Sequence, residues 1–273
     1  MTAALVPDAA EARLLRREGL DTVAGAFAYA GGRELAKPGL GDRRRIELNL
    51  RDDAGRPVRW YLKLYGPAPW PRRLGRRLLG RGFVSPARRE YENIRLLQRA
   101  GVATMEPIAY GEEVGAVLGV RRSYIVVSAV PGEALERCLA GHLRRWDQRA
   151  VQGFNAALVE LVRRLHRTGC VHRDLYASHI FLDVTERGPE LYLIDLARLF
   201  APRWRLFRWR VKDLAELKYS MPAEWVERHW RSFLESYLAT SEPGVVGRYE
   251  RAIEAKVSAI RRHARHRAGR SGR

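Results

Sequence analysis

The sequence predicts an α+β fold in two parts: a small antiparallel sheet carrying one main helix, then a larger, mostly helical part. Three observations predict it. Short alternating strands with turn signals crowd the first half, Pro131-Gly132 breaks the chain, and helical periodicity dominates the second half. The parts divide as residues 1–130 and 131–262, with a basic tail, 263–273, that reads as disordered because apolar periodicity stops at Ile260. A chain of 273 residues can bury a core of this size.

The elements come in order. Residues 9–30 read as a short helix and a weak strand. IELNL (46–50) and VRWYLKLY (58–65) alternate, with DDAGRP as the turn between them, which makes a hairpin. SPARREYENIRLLQRAG (85–101) is a helix, with Ser85 as N-cap, Pro86 at its first position and Gly101 after its last turn. EPIAYGEEV and RRSYIVVSAV read as strands. After Pro131-Gly132 come EALERCLAGHL and the long helical segment 147–169, which ends at Gly169 and runs into VHRDL. HIFLDV and ELYLIDL are two short strands joined by TERGP, and the remainder is helical to about residue 262.

Composition narrows the setting. No run approaches the roughly 20 apolar residues that span a bilayer. The N-terminus has neither a basic start nor an apolar segment of signal-peptide type. Cys138 and Cys170 are the only cysteines and lack CxxC spacing, so a reducing cytosol is the expected compartment. The net charge is +19, carried by 45 arginines and five lysines. Codon bias and an anionic partner are both open as its cause. Arginines interleave with apolar residues at 70–81 and 203–210 (RWRLFRWR), which suits a membrane interface or a packed face.

Charged residues inside apolar runs carry the chemistry. HRDLYASH (172–179) is followed by LYLIDLARLF (191–200), and a lysine, Lys63, sits within a strand upstream. This is the inventory that phosphoryl transfer needs: a cation on phosphates, metal ligands, and a carboxylate that orients a hydroxyl and takes its proton. Where arginine is used so freely, a strand lysine points to a compact ammonium on phosphate. Its partner is Glu90, on the inward stripe with Ala87, Ile94 and Leu97; Glu92 shares its face with Arg88 and Arg99 and reads as solvated. Asp174 is the acceptor-side base. His179 stands where a kinase catalytic loop has asparagine. Asp195 stands at the metal-binding aspartate, although Asp-Leu-Ala replaces Asp-Phe-Gly and removes a backbone hinge.

Taken together, HRDLYASHIFL, LIDLARL and RWRVKDLAELKYS, with REY and RAGVATMEPIAYGE upstream, resemble the lipopolysaccharide core kinases, the Kdo/heptose kinase group that also contains the InaA-like proteins. The resemblance covers roughly residues 37–240. It implies a protein-kinase-like bilobal fold, with a nucleotide-binding sheet lobe and a helical catalytic lobe. It also implies ATP-dependent phosphorylation of a heptose or Kdo hydroxyl in the lipopolysaccharide inner core. Carried onto this sequence, it makes Asp174 the base, Lys63 and Glu90 the phosphate pair, and Asp195 and His179 the ligands of Mg²⁺, with Mn²⁺ as the alternative. Gly39 and Gly41 form a weak version of the nucleotide flap. Asp213 starts a helix and hydrogen-bonds the HRD backbone. The family's aromatic after the motif histidine is Ile180 here.

The implied partners are ATP, a core glycolipid acceptor and an anionic membrane surface, with the enzyme peripheral on the inner face of the cytoplasmic membrane. Nucleic acid is the less favoured partner. Three other readings stay open. The first is a protein kinase, opposed by the short span from Asp195 to the KDL helix. The second is a small-molecule kinase, which would usually carry Asn at 179. The third is a catalytically silent pseudokinase that binds anionic lipid or nucleic acid through its charge.

Overall fold

The computed structural model describes residues 2–5, 9–35, 43–67, 84–115 and 119–271. Gly39, Gly41, Trp70 and the basic 70–81 segment lie outside them. The chain divides into two units, Met1–Leu96 with Met105–Ala129 and Leu97–Thr104 with Val130–Arg273.

The first unit is built on an antiparallel sheet. Strands β3 (Arg43–Arg51) and β4 (Pro57–Tyr65) form the hairpin. Asp52 makes the turn by accepting the backbone N–H groups of Ala54 and Arg56, both at 2.9 Å. The full order is β1 (Thr2–Leu5), β5 (Pro107–Gly115), β6 (Gly119–Ser128), β4, β3, β2 (Arg33–Glu34). Lys63 is therefore on an interior strand, opposite Arg45 of β3 and Ile125 of β6.

Alternation gives β4 two faces. Leu62 and Leu64 join Ile46, Leu48, Tyr124 and Val126 in a core closed by Leu14 and Leu15 of α1 (Ala9–Arg17) and by Val23 and Ala26 of α2 (Val23–Ala28). The strand expected before residue 30 is this second helix. Thr22 Oγ1 caps it by accepting from Gly25 N at 3.0 Å, a local bond that outweighs the weak strand signal. Lys63 and Tyr65 occupy the other face of β4, where they meet Glu90 of α3 (Pro86–Arg99). Ser85 Oγ caps α3 by accepting from Arg88 N at 2.9 Å, and Gly101 follows in a left-handed conformation at φ +70°.

The second unit opens at Gly132. Its φ is +74°, and a Cβ there would lie 2.0 Å from the Leu182 carbonyl oxygen, so only glycine fits. Strand β7 (Glu133–Ala134) then pairs with β8 (Ile180–Thr185), and β8 with β9 (Gly188–Leu193). Between them run α4 (Leu135–Leu143) and α5 (Gln148–Arg167), the latter capped by Asp147, which accepts from Ala150 N. Residues 97–104 belong here because Leu193 N donates to Ala103 O at 2.9 Å and Thr104 Oγ1 to Leu193 O at 2.5 Å.

Three helices complete the unit: α6 (Leu206–Ser220), α7 (Ala223–Leu238) and α8 (Pro243–Ser271). Phe154, Trp225 and Phe233 form the buried aromatic centre, and Trp225 Nε1 donates to Asn155 Oδ1 at 2.8 Å. Where the sequence predicts a disordered tail from residue 263, α8 continues to Ser271. Extending an existing helix through Arg- and Ala-rich sequence needs no new nucleus. Cys138 and Cys170 are free. No helix of the described residues is long and apolar enough to cross a membrane.

The aromatic residues of the RWRLFRWR cluster mostly turn inward. Phe207 packs on Tyr249 (ring centroids 4.8 Å apart) and Trp209 on Phe200 (5.0 Å). Arg210 donates to the His166 carbonyl at 3.0 Å. Only Trp204 of these aromatics stands in solvent, 82% exposed. Of the two roles expected of this cluster, membrane interface or packed face, Phe207 and Trp209 make ring contacts within the unit and stay partly exposed.

Candidate active site

The Lys63–Glu90 pair forms in the first unit. Lys63 Nζ donates to Glu90 Oε1 at 2.5 Å, and Tyr65 Oη donates to Glu90 Oε2 at 2.6 Å. Glu90 is fully buried, and the Lys63 side chain is 9% exposed. Both carboxylate oxygens are thus satisfied, the condition under which a charge tolerates burial. Glu92 pairs instead with Arg88 at the surface.

The His172-Arg173-Asp174 loop is organised by Asp213 in the second unit. Asp213 is fully buried; Oδ2 accepts from His172 N at 2.7 Å, and Oδ1 from Arg173 N at 2.8 Å. His166 Nε2 lies 3.2 Å from Oδ2, and His166 Nδ1 lies 2.8 Å from Tyr237 Oη. The expected bond to the HRD backbone is present, but Asp213 does not start its helix: α6 begins at Leu206, about two turns earlier. That depth in the helix is what carries the carboxylate beneath the loop.

Two histidines tie the loop to the segment holding Asp195. His172 Nε2 donates to Ile194 O at 2.9 Å, and its Nδ1 accepts from Asp174 N at 3.3 Å. Burial, the largest cause, pushes the His172 pKa down, in keeping with this neutral tautomer. His179 Nδ1 donates to Asp174 O at 2.8 Å, so in the neutral ring Nε2 presents a lone pair, 3.8 Å from Asp195 Oδ2. Val171 and Phe200 also exchange both backbone hydrogen bonds. Arg173 and Asp195 are both held in the left-handed region, at φ 74° and 60°. Such strain persists only where the surroundings over-determine it, and it collects at functional sites.

Residues that sequence reasoning passes over complete the loop's support. Arg198 Nη1 donates to Asp174 Oδ1 at 2.8 Å, leaving Oδ2 for another partner. Nothing marks Arg198 among 45 arginines. Lys212 Nζ donates to Arg173 O and to Glu216 Oε1. Ser220 Oγ accepts from Ala177 N at 2.7 Å. Lys212 and Ser220 stand in a recognisable motif, but the chain contact of neither is readable there.

Asp195 is the oxygen donor that a hard divalent cation takes, and His179 is not. Among the described residues no group of three or more His, Cys, Asp or Glu side chains gathers to hold a metal. Asp195 offers one carboxylate and His179 one imidazole, and Mg²⁺-type ions are commonly held by one or two carboxylates and complete their shell with phosphate and water. The imidazole suits a softer transition ion better than Mg²⁺.

Glu216 supplies a pH test of the loop's support. Burial, its largest influence, raises its carboxyl from 4.5 to about 7 despite Lys212. The folded state therefore favours the protonated form. Its contribution to stability is fullest below about pH 4.5 and is lost as pH rises through about 7. Urea unfolding at pH 5 and pH 8 should show that Glu216→Gln shrinks the loss of stability between those values relative to the parent. An unchanged difference would refute this role of Glu216.

The chain is similar to known proteins. The lipopolysaccharide kinase (Kdo/WaaP) family profile matches residues 72–237. Lipopolysaccharide core heptose(I) kinase WaaP of Pseudomonas aeruginosa is 32% identical over 213 residues, 71% of this chain and 78% of its own length. The WaaP of Escherichia coli strain K12 is 34% identical over 143 residues, 50% of this chain and 54% of its own. A solved structure described as WaaP in complex with acyl carrier protein superposes with a TM-score of 0.67 at 26% identity, covering 93% of this chain and 99% of that one. With its paired lysine and glutamate, its HRD loop and its strained aspartate, the chain belongs to the lipopolysaccharide kinase (Kdo/WaaP) family and is a kinase.

Proposed function

We propose that this kinase moves the γ-phosphoryl group of ATP to a hydroxyl of an inner-core heptose of lipopolysaccharide. The heptose is preferred over Kdo because the WaaP relatives are named heptose(I) kinases. The observation that carries the reading is the loop geometry. His179 bonds the Asp174 backbone on one side and faces Asp195 on the other, so acceptor-side and phosphate-side groups share one rigid support. In this reading residues 1–130 serve the nucleotide and 131–262 the chemistry.

Each side chain then has a task. The acceptor hydroxyl donates to the free Oδ2 of Asp174, whose Oδ1 is held by Arg198. As the hydroxyl oxygen bonds to phosphorus and ADP leaves, the proton passes to Asp174. Lys63 spends one N–H on Glu90 and turns its others to phosphate oxygens. Asp195 and His179 would hold a divalent ion, Mg²⁺ or Mn²⁺, which neutralises phosphate charge when bound. ADP formation with heptose-bearing core glycolipid should fall by about 10³-fold or more in Asp174→Asn and in Asp195→Ala. Parent-level turnover in either variant would remove that residue from the mechanism.

Lys63 and Glu90 should act as one unit on ATP. In a double-mutant cycle of Lys63→Ala and Glu90→Ala read by ATP affinity, we expect a coupling of about 1 kcal/mol or more. Additive losses would show that the pair does not align the phosphates.

A peripheral position on the inner face of the cytoplasmic membrane belongs to the same proposal. It is supported by the +19 charge and by exposed Trp204 between Arg203 and Arg205. Tryptophan favours the headgroup level, and basic residues favour anionic lipid. Sedimentation with anionic vesicles should show salt-sensitive binding that weakens when Trp204, Arg203 and Arg205 are replaced by Ala, Gln and Gln. Absence of binding at low salt would rule it out.

A further inference from the structure

Beside the HRD loop, α6 and α8 leave a groove of about 540 Å³. Its floor is apolar. Val211 comes from α6, and Ala252, Ala255 and Ala259 fall at helical spacing on one face of α8. Phe207 and Trp209 contribute aromatic surface.

The charge around this floor has one sign. Arg173, Arg208, Lys212 and Lys256 line the groove, and no aspartate or glutamate does. Elsewhere in the unit some surface arginines carry carboxylate partners, Arg164 with Glu160, Arg228 with Glu224 and Arg231 with Glu235 and Glu250 among them. Arg208 and Lys256 have none among the described residues. Lys212 shares its charge with Glu216. The Nε atom of Arg173 is buried and has no acceptor. Two of the chain's five lysines are here, although arginine outnumbers lysine 45 to five.

Unpaired like charges around one concavity repel each other and concentrate positive potential. An anion offsets that cost and supplies charge-assisted bonds. The alanine floor asks for something more than an inorganic ion, because aliphatic surface gains only from apolar contact. A ligand with an acidic head and an apolar body satisfies both.

We propose that the α6–α8 groove binds an acidic amphiphile: the anionic group of the glycolipid acceptor sits among Arg173, Arg208 and Lys256, and an apolar portion lies on the alanine floor. The identification of the amphiphile as acceptor rests on the kinase reading above; the groove's chemistry does not.

The test uses the full chain and dodecyl phosphate below its micelle-forming concentration. Inorganic phosphate and uncharged dodecyl maltoside are the other two arms. Calorimetry, with Trp209 fluorescence as a local reporter, should show saturable dodecyl phosphate binding at least about tenfold tighter than either arm. The affinity should fall as salt rises. The double substitution Arg208→Gln with Lys256→Gln should weaken it by about tenfold or more. ATP affinity should be unchanged. Ala255→Glu, which places an acid on the floor, should weaken it as well. Equal affinity for inorganic phosphate and dodecyl phosphate would overturn the amphiphile assignment, as would undiminished binding in the double variant or tighter binding of duplex DNA that displaces the probe. In turnover the same double variant should raise KM for the core glycolipid and leave KM for ATP alone. Probe binding without glycolipid turnover would sink the core-glycolipid reading of the kinase and keep the groove; turnover with an unaltered KM would overturn the placing of the acceptor in the groove.

Discussion

A single carboxylate without access to water organises the second unit's chemistry. Asp213 is fully buried and accepts two consecutive backbone N–H groups, those of His172 and Arg173. A carboxylate buried in that position is tolerable only because each oxygen is bonded. The dependence runs in both directions. The loop supplies the donors that satisfy Asp213, and Asp213 supplies the attraction that keeps Arg173 at φ 74°, a conformation that costs a non-glycine residue about 1–2 kcal/mol. Lys212, one residue earlier on the same helix, adds a bond to the Arg173 carbonyl. One helix therefore holds both sides of the strained peptide.

From that anchor, order passes through two imidazoles. His172 bonds forward to Ile194, next to Asp195. His179 bonds back to Asp174 and faces Asp195. Each ring uses one nitrogen as donor, which sets what the other can do. For His179 the result is that Nε2 is left facing Asp195, 3.8 Å from its Oδ2. The backbone bond from Nδ1 to Asp174 O fixes the orientation of the ring. Asp174 is held by Arg198 through one oxygen, which restricts its side chain.

The arginine excess divides into kinds once contacts are visible. Much of it is structural. Arg33 pairs with Glu47, Arg122 with Glu113, and Arg210 with a backbone carbonyl. A smaller set has no such partner, and two cations of this kind, Arg208 and Lys256, lie along the α6–α8 groove. Total charge is a blunt guide to partners; charge left unpaired at a concave surface is a sharper one.

Local sequence is enough to set the order of elements, the hairpin bearing Lys63, the capped helix bearing Glu90, and the motifs bearing Asp174, His179 and Asp195. These are legible because period, caps and turn chemistry act over a few residues. Even the choice of Glu90 over Glu92 needs only helical spacing. The features beyond reach depend on bonds between distant positions. Arg198 reaches Asp174 across 24 residues, and Asp213 reaches Arg173 across 40. The sequence leaves Phe207 and Trp209 open as interface or packed residues, and Tyr249, Phe200 and the cation of Arg173 pack against them. The tail past Ile260 reads as disordered because it lacks an apolar stripe, yet it extends a helix already nucleated upstream. Local pattern specifies which element forms; which side chains meet, and which charges go unpaired, is decided only when the chain packs, because burial and partner geometry set the free energy of every polar group.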